Sequence, residues 1–263
     1  MVTVNPFSEL PSFIPALALQ VYVVLMALLV VAGTILDVLH KKSAQYFFAA
    51  GEKGRQARER DVGAGEKAWI ATKTVAVDVL ASGEFCNARR RVAHLLTMYG
   101  FVLFLVATVV LVFAYPRAAD TPALWPLLWH VGALMVCIGG YWFWFAIRVN
   151  LAAEGNPWYR VVRADLFVLS LLATTTFALV WSVLQASGLA GAALLFFALF
   201  LLAGLVLFGG VPWSKFAHMF FKPAAAFQRR VSEADGSRQN LPPPADQPAR
   251  FGLGIKREAP RHY

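Results

Sequence analysis

Long apolar blocks separated by short polar stretches dominate the chain. Five runs, 14–36, 95–115, 127–147, 166–185 and 189–209, contain no Asp, Glu, Lys or Arg. Each supplies about the 20 residues an α-helix needs to cross a hydrocarbon slab roughly 30 Å thick. Only Ala186, Ser187 and Gly188 separate the fourth run from the fifth, which predicts a tight hairpin of antiparallel neighbours. The predicted fold is an all-α membrane protein, a five-helix transmembrane bundle. No repeat relates its halves, and five spans divide poorly into two equal bundles, which counts against the common secondary-transporter architectures.

The polar remainder orients the bundle. Lys and Arg number 0 before the first span, 11 over 37–94, 1 over 116–126, 3 over 148–165, 0 in the hairpin turn and 9 after residue 209. Alternate compartments therefore hold 23 and 1 of the 24, and the positive-inside rule makes the basic side cytoplasmic. The expected topology has a periplasmic segment 1–13, a membrane domain 14–230 and a cytoplasmic tail 231–263, in a bacterial inner membrane. The first apolar run is too long for a signal-peptide core and reads as a retained helix. Trp125, Trp129, Trp158 and Trp213 fall near predicted span ends, where amphipathic rings favour the headgroup level.

Composition agrees: 59% of residues are hydrophobic, against 45 to 50% in soluble domains. A net charge of +9 raises the question of nucleic acid, but the cations flank apolar spans instead of clustering on one face. Cys86 and Cys137 lie far apart in sequence and offer neither a disulfide framework nor a thiolate cluster site.

Two polar segments stand out. In the first cytoplasmic loop, residues 67–85 mix Trp69, Ile70, Val75, Val77, Val79 and Leu80 with Lys73 and Asp78, which predicts an interfacial helix or a docking surface. From Ser232 onward, Ser, Gly, Pro-Pro-Pro and scattered charge cannot bury a core, so 232–263 is predicted to be disordered or to fold on a partner.

Intramembrane ionisable groups are functional candidates by default, which directs attention to histidine. His94 opens the second span. His218 follows the fifth in Pro212-Trp-Ser-Lys-Phe-Ala-His218. If the last helix runs on to 221, both imidazoles reach similar depth on antiparallel helices and make a bis-histidine haem site, with Arg89, Arg90, Arg91 and Lys215 near its propionates. An unbroken helix over 189–218 would rise about 44 Å, more than the hydrocarbon thickness, so Gly209, Gly210 and Pro212 are candidates to bend it. From the residues alone a second reading stays open: interfacial histidines beside cations that orientation already requires. His130 is read as a surface or supporting residue, His40 as interfacial, and His262 as part of the tail. Transport would need a polar path, for which Ser170, Thr174, Thr175, Thr176 and Ser182 are the best available, though such hydroxyls often bond helix carbonyls.

Arg91-Val-Ala-His94-Leu-Leu-Thr-Met-Tyr-Gly-Phe101 and Pro212-Trp-Ser-Lys-Phe-Ala-His218, within five spans of this orientation, resemble a family of cytochrome b-like membrane proteins. That family includes nitrate reductase gamma, the membrane component of heterodisulfide reductase, DsrM and QmoC. The chain looks most like the short AprM-like proteins that accompany adenylylsulfate reductase. The resemblance implies an electron-transfer anchor joining a cytoplasmic flavin/iron–sulfur enzyme to membrane quinone. It further implies haem b held by His94 and His218, with Arg91 and Lys215 as propionate partners. In two-haem relatives a second histidine pair lies nearer the outer face; here those depths fall around Phe104 and Phe200, so one haem is expected. A cofactor-free anchor that recruits the same enzyme is the alternative.

Overall fold

The computed structural model describes residues 2–8, 14–41, 43–83, 85, 87–148, 159–214, 218–238, 241 and 253. These form α1 (Ala16–Lys41), α2 (Ser43–Gln56), α3 (Ala64–Lys73), α4 (Ala88–Phe113), α5 (Leu124–Trp142), α6 (Leu166–Ala186), α7 (Ala190–Gly209) and α8 (His218–Ala234). Two of them wind on as π-helix, α3 through Thr74–Leu80 and α5 through Phe143–Ile147. No strand occurs among the described residues. Five helices, α1, α4, α5, α6 and α7, are long and apolar enough to cross a membrane. The chain divides into two compact units, Met1–Asp37 with Val92–Ala217, and Val38–Arg91 with His218–Tyr263.

The first unit is the helical bundle. α1 buries Leu19, Met26 and Gly33, seven residues apart, and leaves Leu17, Val21, Leu25, Leu28 and Val31 exposed. That is one packed seam with a lipid-ready remainder. The seam meets α7, where the Tyr22 hydroxyl donates to the Leu201 carbonyl at 2.6 Å. α6 and α7 form the expected hairpin, and its turn is closed by backbone bonds. Gly188 sits at φ +73°, the Leu189 N–H donates to Leu184 O at 3.0 Å and the Gly188 N–H to Gln185 O at 3.0 Å. A left-handed residue after the helix satisfies its last carbonyls in this way, and glycine adopts that φ without a Cβ clash.

Two boundaries differ from the sequence reading. The fifth span does not run on to 221. It ends at Gly209, the chain turns at Gly210 with Trp213 and Ser214 N–H groups donating to the Gly210 carbonyl, and a separate helix starts at His218. Two successive glycines and Pro212, which has no N–H to donate, end the helix. Residues 231–238, assigned to the disordered tail, are ordered: α8 continues to Ala234, and Ser232 and Asp235 are buried. Apart from Leu241 and Leu253, the tail beyond 238, with His262, lies outside the described residues.

In the second unit α8 packs on α2, α3 and the π-helical segment. Ile70, Thr74 and Asp78, four residues apart, form the buried stripe. Asp78 accepts from Arg230 Nε at 2.7 Å and Nη2 at 2.9 Å, with side chains 4% and 18% exposed. The Arg230 guanidinium holds the Asp78 carboxyl below its usual range despite the opposing effect of burial. A lowered folded-state value places this stabilisation above the unfolded carboxylate pKa of about 3.9 and removes it as pH falls through the folded value. Relative to the unfolded-chain rate at the same pH, amide exchange in α8 is therefore expected to be slow from pH 5 to 8 and to accelerate below about pH 4. Asp78→Asn should accelerate it at neutral pH by roughly thirty-fold, the equivalent of about 2 kcal/mol for a half-desolvated pair. Unchanged exchange in the variant would show that the pair does not hold α8.

Candidate functional site

His94 lies in the second turn of α4, partly buried. Two turns further along the same stripe is Phe101, 7% exposed, whose ring centroid is 6.4 Å from that of Phe208 near the end of α7. The neighbouring stripe, Ala93 and Thr97, lies against α5, where a Cβ on Gly139 would stand 2.7 Å from the Ala93 carbonyl and 2.7 Å from Thr97 Oγ1. The face of α4 that carries His94 is thus the one that meets α7, while an adjacent face is taken by α5. Arg91, one turn earlier, donates from Nε to the Ala81 carbonyl at 2.8 Å. Any propionate contact falls to its terminal guanidinium nitrogens. His218 opens α8, and of its side chain nothing is described; Lys215 lies outside the described residues, as do Cys86 and Trp158.

Toward the other end of the bundle the interior is filled by aromatic rings. Phe104 stands 5.1 Å from Trp129 and 6.4 Å from Phe200. Trp181 stacks on Phe200 at 5.8 Å and meets Trp129 edge-on at 6.0 Å. Phe7, from the amino-terminal segment, plugs this cluster at 5.7 Å from Trp129 and 5.3 Å from Trp181. That segment is tied down by Asn5 Nδ2 donating to Tyr115 O at 2.7 Å and Gln185 Nε2 donating to Pro6 O at 2.9 Å. Rings in mutual contact fill the interior at this level.

Two residues sit deeper than their place in the sequence suggested. Trp129 is not a headgroup anchor; it is 0% exposed and donates from Nε1 to Thr108 Oγ1 at 3.0 Å. His130 is not a surface residue. It is buried, with Nδ1 2.7 Å from the Pro126 carbonyl and Nε2 2.8 Å from Ser182 Oγ, and its ring lies edge-on to Trp129 at 4.9 Å. Both ring nitrogens are engaged, which makes His130 a clasp between α5 and α6. His40, near the end of α1, is exposed.

The hydroxyls considered as a transport path are spoken for. Ser170, Thr174 and Thr175 donate to the carbonyls of Leu166, Ser170 and Leu171. Ser182 pairs with His130, and Thr176 with the Tyr141 hydroxyl at 2.8 Å. The latter pair borders a cleft of about 320 Å³ between α5 and α6, walled by Trp144, Phe145, Leu172 and Phe177. At that end of α5, Arg148 pairs with Asp165 and lies over the Trp144 ring at 3.7 Å. The sequence reading missed both this cleft and the Phe7 plug. Aromatic crowding in Tyr141-Trp-Phe-Trp-Phe145 was its only signal.

Comparison with protein-family models, curated proteins and solved structures found no match to this chain.

Proposed function

We propose that this chain is the membrane anchor and electron-transfer subunit of a redox complex, linking a cytoplasmic flavin/iron–sulfur enzyme of the adenylylsulfate reductase kind to membrane quinone. One haem b would be held by His94 and His218 near the basic side. The observation that carries the reading is the placement of His94 on the α4 stripe that meets the end of α7 at Phe101 and Phe208. With each apolar helix crossing once, the start of α4 and the end of α7 share one membrane face, and His218 follows α7 by nine residues. A pair of neutral imidazoles would suit axial ligation of iron, with Arg91 and Lys215 as the cations for its propionates. Haem, when bound, supplies one-electron chemistry that no side chain of the bundle offers. The Tyr141 and Thr176 hydroxyls beside an apolar cleft suit the carbonyl of a quinone headgroup. The charge distribution supports an orientation with the amino terminus outside and the carboxyl terminus in the cytoplasm of a bacterial inner-membrane host.

A cofactor-free anchor that recruits the same partner is the second reading, favoured by the dense ring packing of the bundle interior. A reduced-minus-oxidised spectrum and pyridine haemochrome assay of the purified chain separate the two. The electron-transfer reading requires a b-type spectrum that His94→Ala and His218→Ala each abolish while the protein stays monodisperse. Folded protein without haem, still able to capture its partner, would leave the anchor.

A further inference from the structure

The helix of residues 64–80, in the second unit, presents apolar side chains outward and a carboxylate inward. Its inner face is Ile70, Thr74 and Asp78, with Asp78 clamped by Arg230. Outward stand Trp69 at 65% exposure, Val75 at 51%, Leu80 at 50% and Val77 at 38%. A four-residue repeat drifts around an α-helix by about 40° per step, and the wider π turn from Thr74 drifts it back. The winding thus keeps Asp78 on the packed side and turns the valines out. For a segment in water this pattern is inverted.

Two further observations locate it. Ala81, the residue that ends the helix, gives its carbonyl to Arg91 Nε at 2.8 Å, and Arg91 is in the first turn of α4, which is long and apolar enough to cross the membrane. The carboxyl end of the helix is therefore held at the level where the chain enters the bilayer. The surroundings are basic: residues 38–91 carry 11 Lys and Arg against 6 Asp and Glu. Four of those acids are already paired, Glu52 with Arg55, Asp61 with Arg58, Glu66 with Arg60 and Asp78 with Arg230, while Lys67, Lys73 and Arg89 are exposed.

We infer that residues 64–80 form an interfacial helix whose Trp69, Val75, Val77 and Leu80 face lies in the headgroup–acyl boundary of an anionic bilayer, while its Asp78 face holds α8. Apolar side chains gain from leaving water at that boundary, lysines at the rim meet lipid phosphates, and the burial depth of such helices is about 5–10 Å. The bilayer is favoured over a protein occupant because the helix ends beside the first turn of α4, a helix long and apolar enough to cross the membrane, and because its rim is cationic. The inference does not depend on haem.

The test uses the full chain in nanodiscs containing phosphatidylglycerol, with Cys86→Ser and Cys137→Ser and single nitroxide labels at Trp69→Cys, Val75→Cys or Leu80→Cys. Controls are Leu28→Cys, lipid-facing on α1, and Ala57→Cys, exposed beyond α2. Power-saturation spectra should show oxygen reaching the three labels more readily than a nickel chelate, as for Leu28 and opposite to Ala57. Nanodiscs of phosphatidylcholine alone should bring them closer to the Ala57 behaviour. Chelate access equal to that of Ala57 in both lipids would overturn the inference. Low collision with both reagents and dipolar broadening between labels would also overturn it, by showing a second copy on this face. Each variant must elute as the parent does, and Thr72→Cys on the same face provides a second position should one label perturb folding.

Discussion

Gly132→Leu will part α4 from α5, and the variant will fail to elute as a monodisperse species in mild detergent. At Gly132 an added Cβ would stand 2.6 Å from the Phe104 amide nitrogen and 2.8 Å from the Gly100 carbonyl oxygen. At Gly100 it would stand 2.7 Å from the Gly132 carbonyl and 2.8 Å from the Val136 amide. These obstacles are backbone, with no rotamer to move aside, so the helices themselves must separate. Small residues let spanning helices approach closely enough for backbone contact, and that contact supplies much of the association energy where lipid is as apolar as leucine. Overpacking usually costs about 1–3 kcal/mol, and a bulky chain against two fixed backbones belongs at or above the top of that range. Gly132→Ala should lower the thermal midpoint by several degrees and Gly132→Leu should abolish the transition. Gly191→Ala, at a helical position with open space beside it, is the control and should cost nothing. A Gly132→Leu midpoint within about 2 °C of the parent would exclude this helix crossing.

Trp129→Ala is the second large loss expected, about 3–5 kcal/mol. The indole touches Phe7, Phe104, His130 and Trp181 and donates to Thr108, so truncation opens the bundle where the amino-terminal plug seats. Inside a membrane the cost comes from lost dispersion contacts between close-packed rings more than from water exclusion. Trp129→Phe keeps part of the ring stack and forfeits the bond to Thr108, for which about 1 kcal/mol is expected. Midpoints from scanning calorimetry in one detergent should fall in the order parent, Trp129→Phe, Trp129→Ala. Equal midpoints for the two variants would mean that the hydrogen bond, not the packing, carries the stability.

The five spans and the α6–α7 hairpin were legible because each is a local property. A run of twenty uncharged residues is a spanning helix in nearly any context, and Ser187-Gly188 is a turn wherever the next helix begins. The ending of α7 was half legible: Gly209, Gly210 and Pro212 mark a break, yet placing His218 at the depth of His94 required a helix that ran through them. For α8 the composition misled, since Val231-Ser-Glu-Ala-Asp looks like tail until Arg230 finds Asp78 about 150 residues away in sequence. Of the candidate site, His94 was legible as a residue at a span end. Which stripe of α4 it shares became visible only with Phe101 against Phe208.

Trp129 and His130 mark the same boundary. Position near the end of an apolar run suggested an interfacial ring and left a surface or supporting imidazole open, but both point inward because α5 is rotated about its axis to bring Gly132 onto α4 and His130 onto Ser182. By itself the sequence determined that this is an all-helical protein with five helices able to cross a membrane, since helix length and apolar content are settled residue by residue against the solvent. Tertiary structure decided which side of each helix is inside, that Phe7 closes one end of the ring cluster, and that an acidic residue anchors a helix whose outer face is apolar. Those choices rest on pairings between residues distant in the chain, and rotating a helix by half a turn changes every one of them while leaving its apolar composition the same.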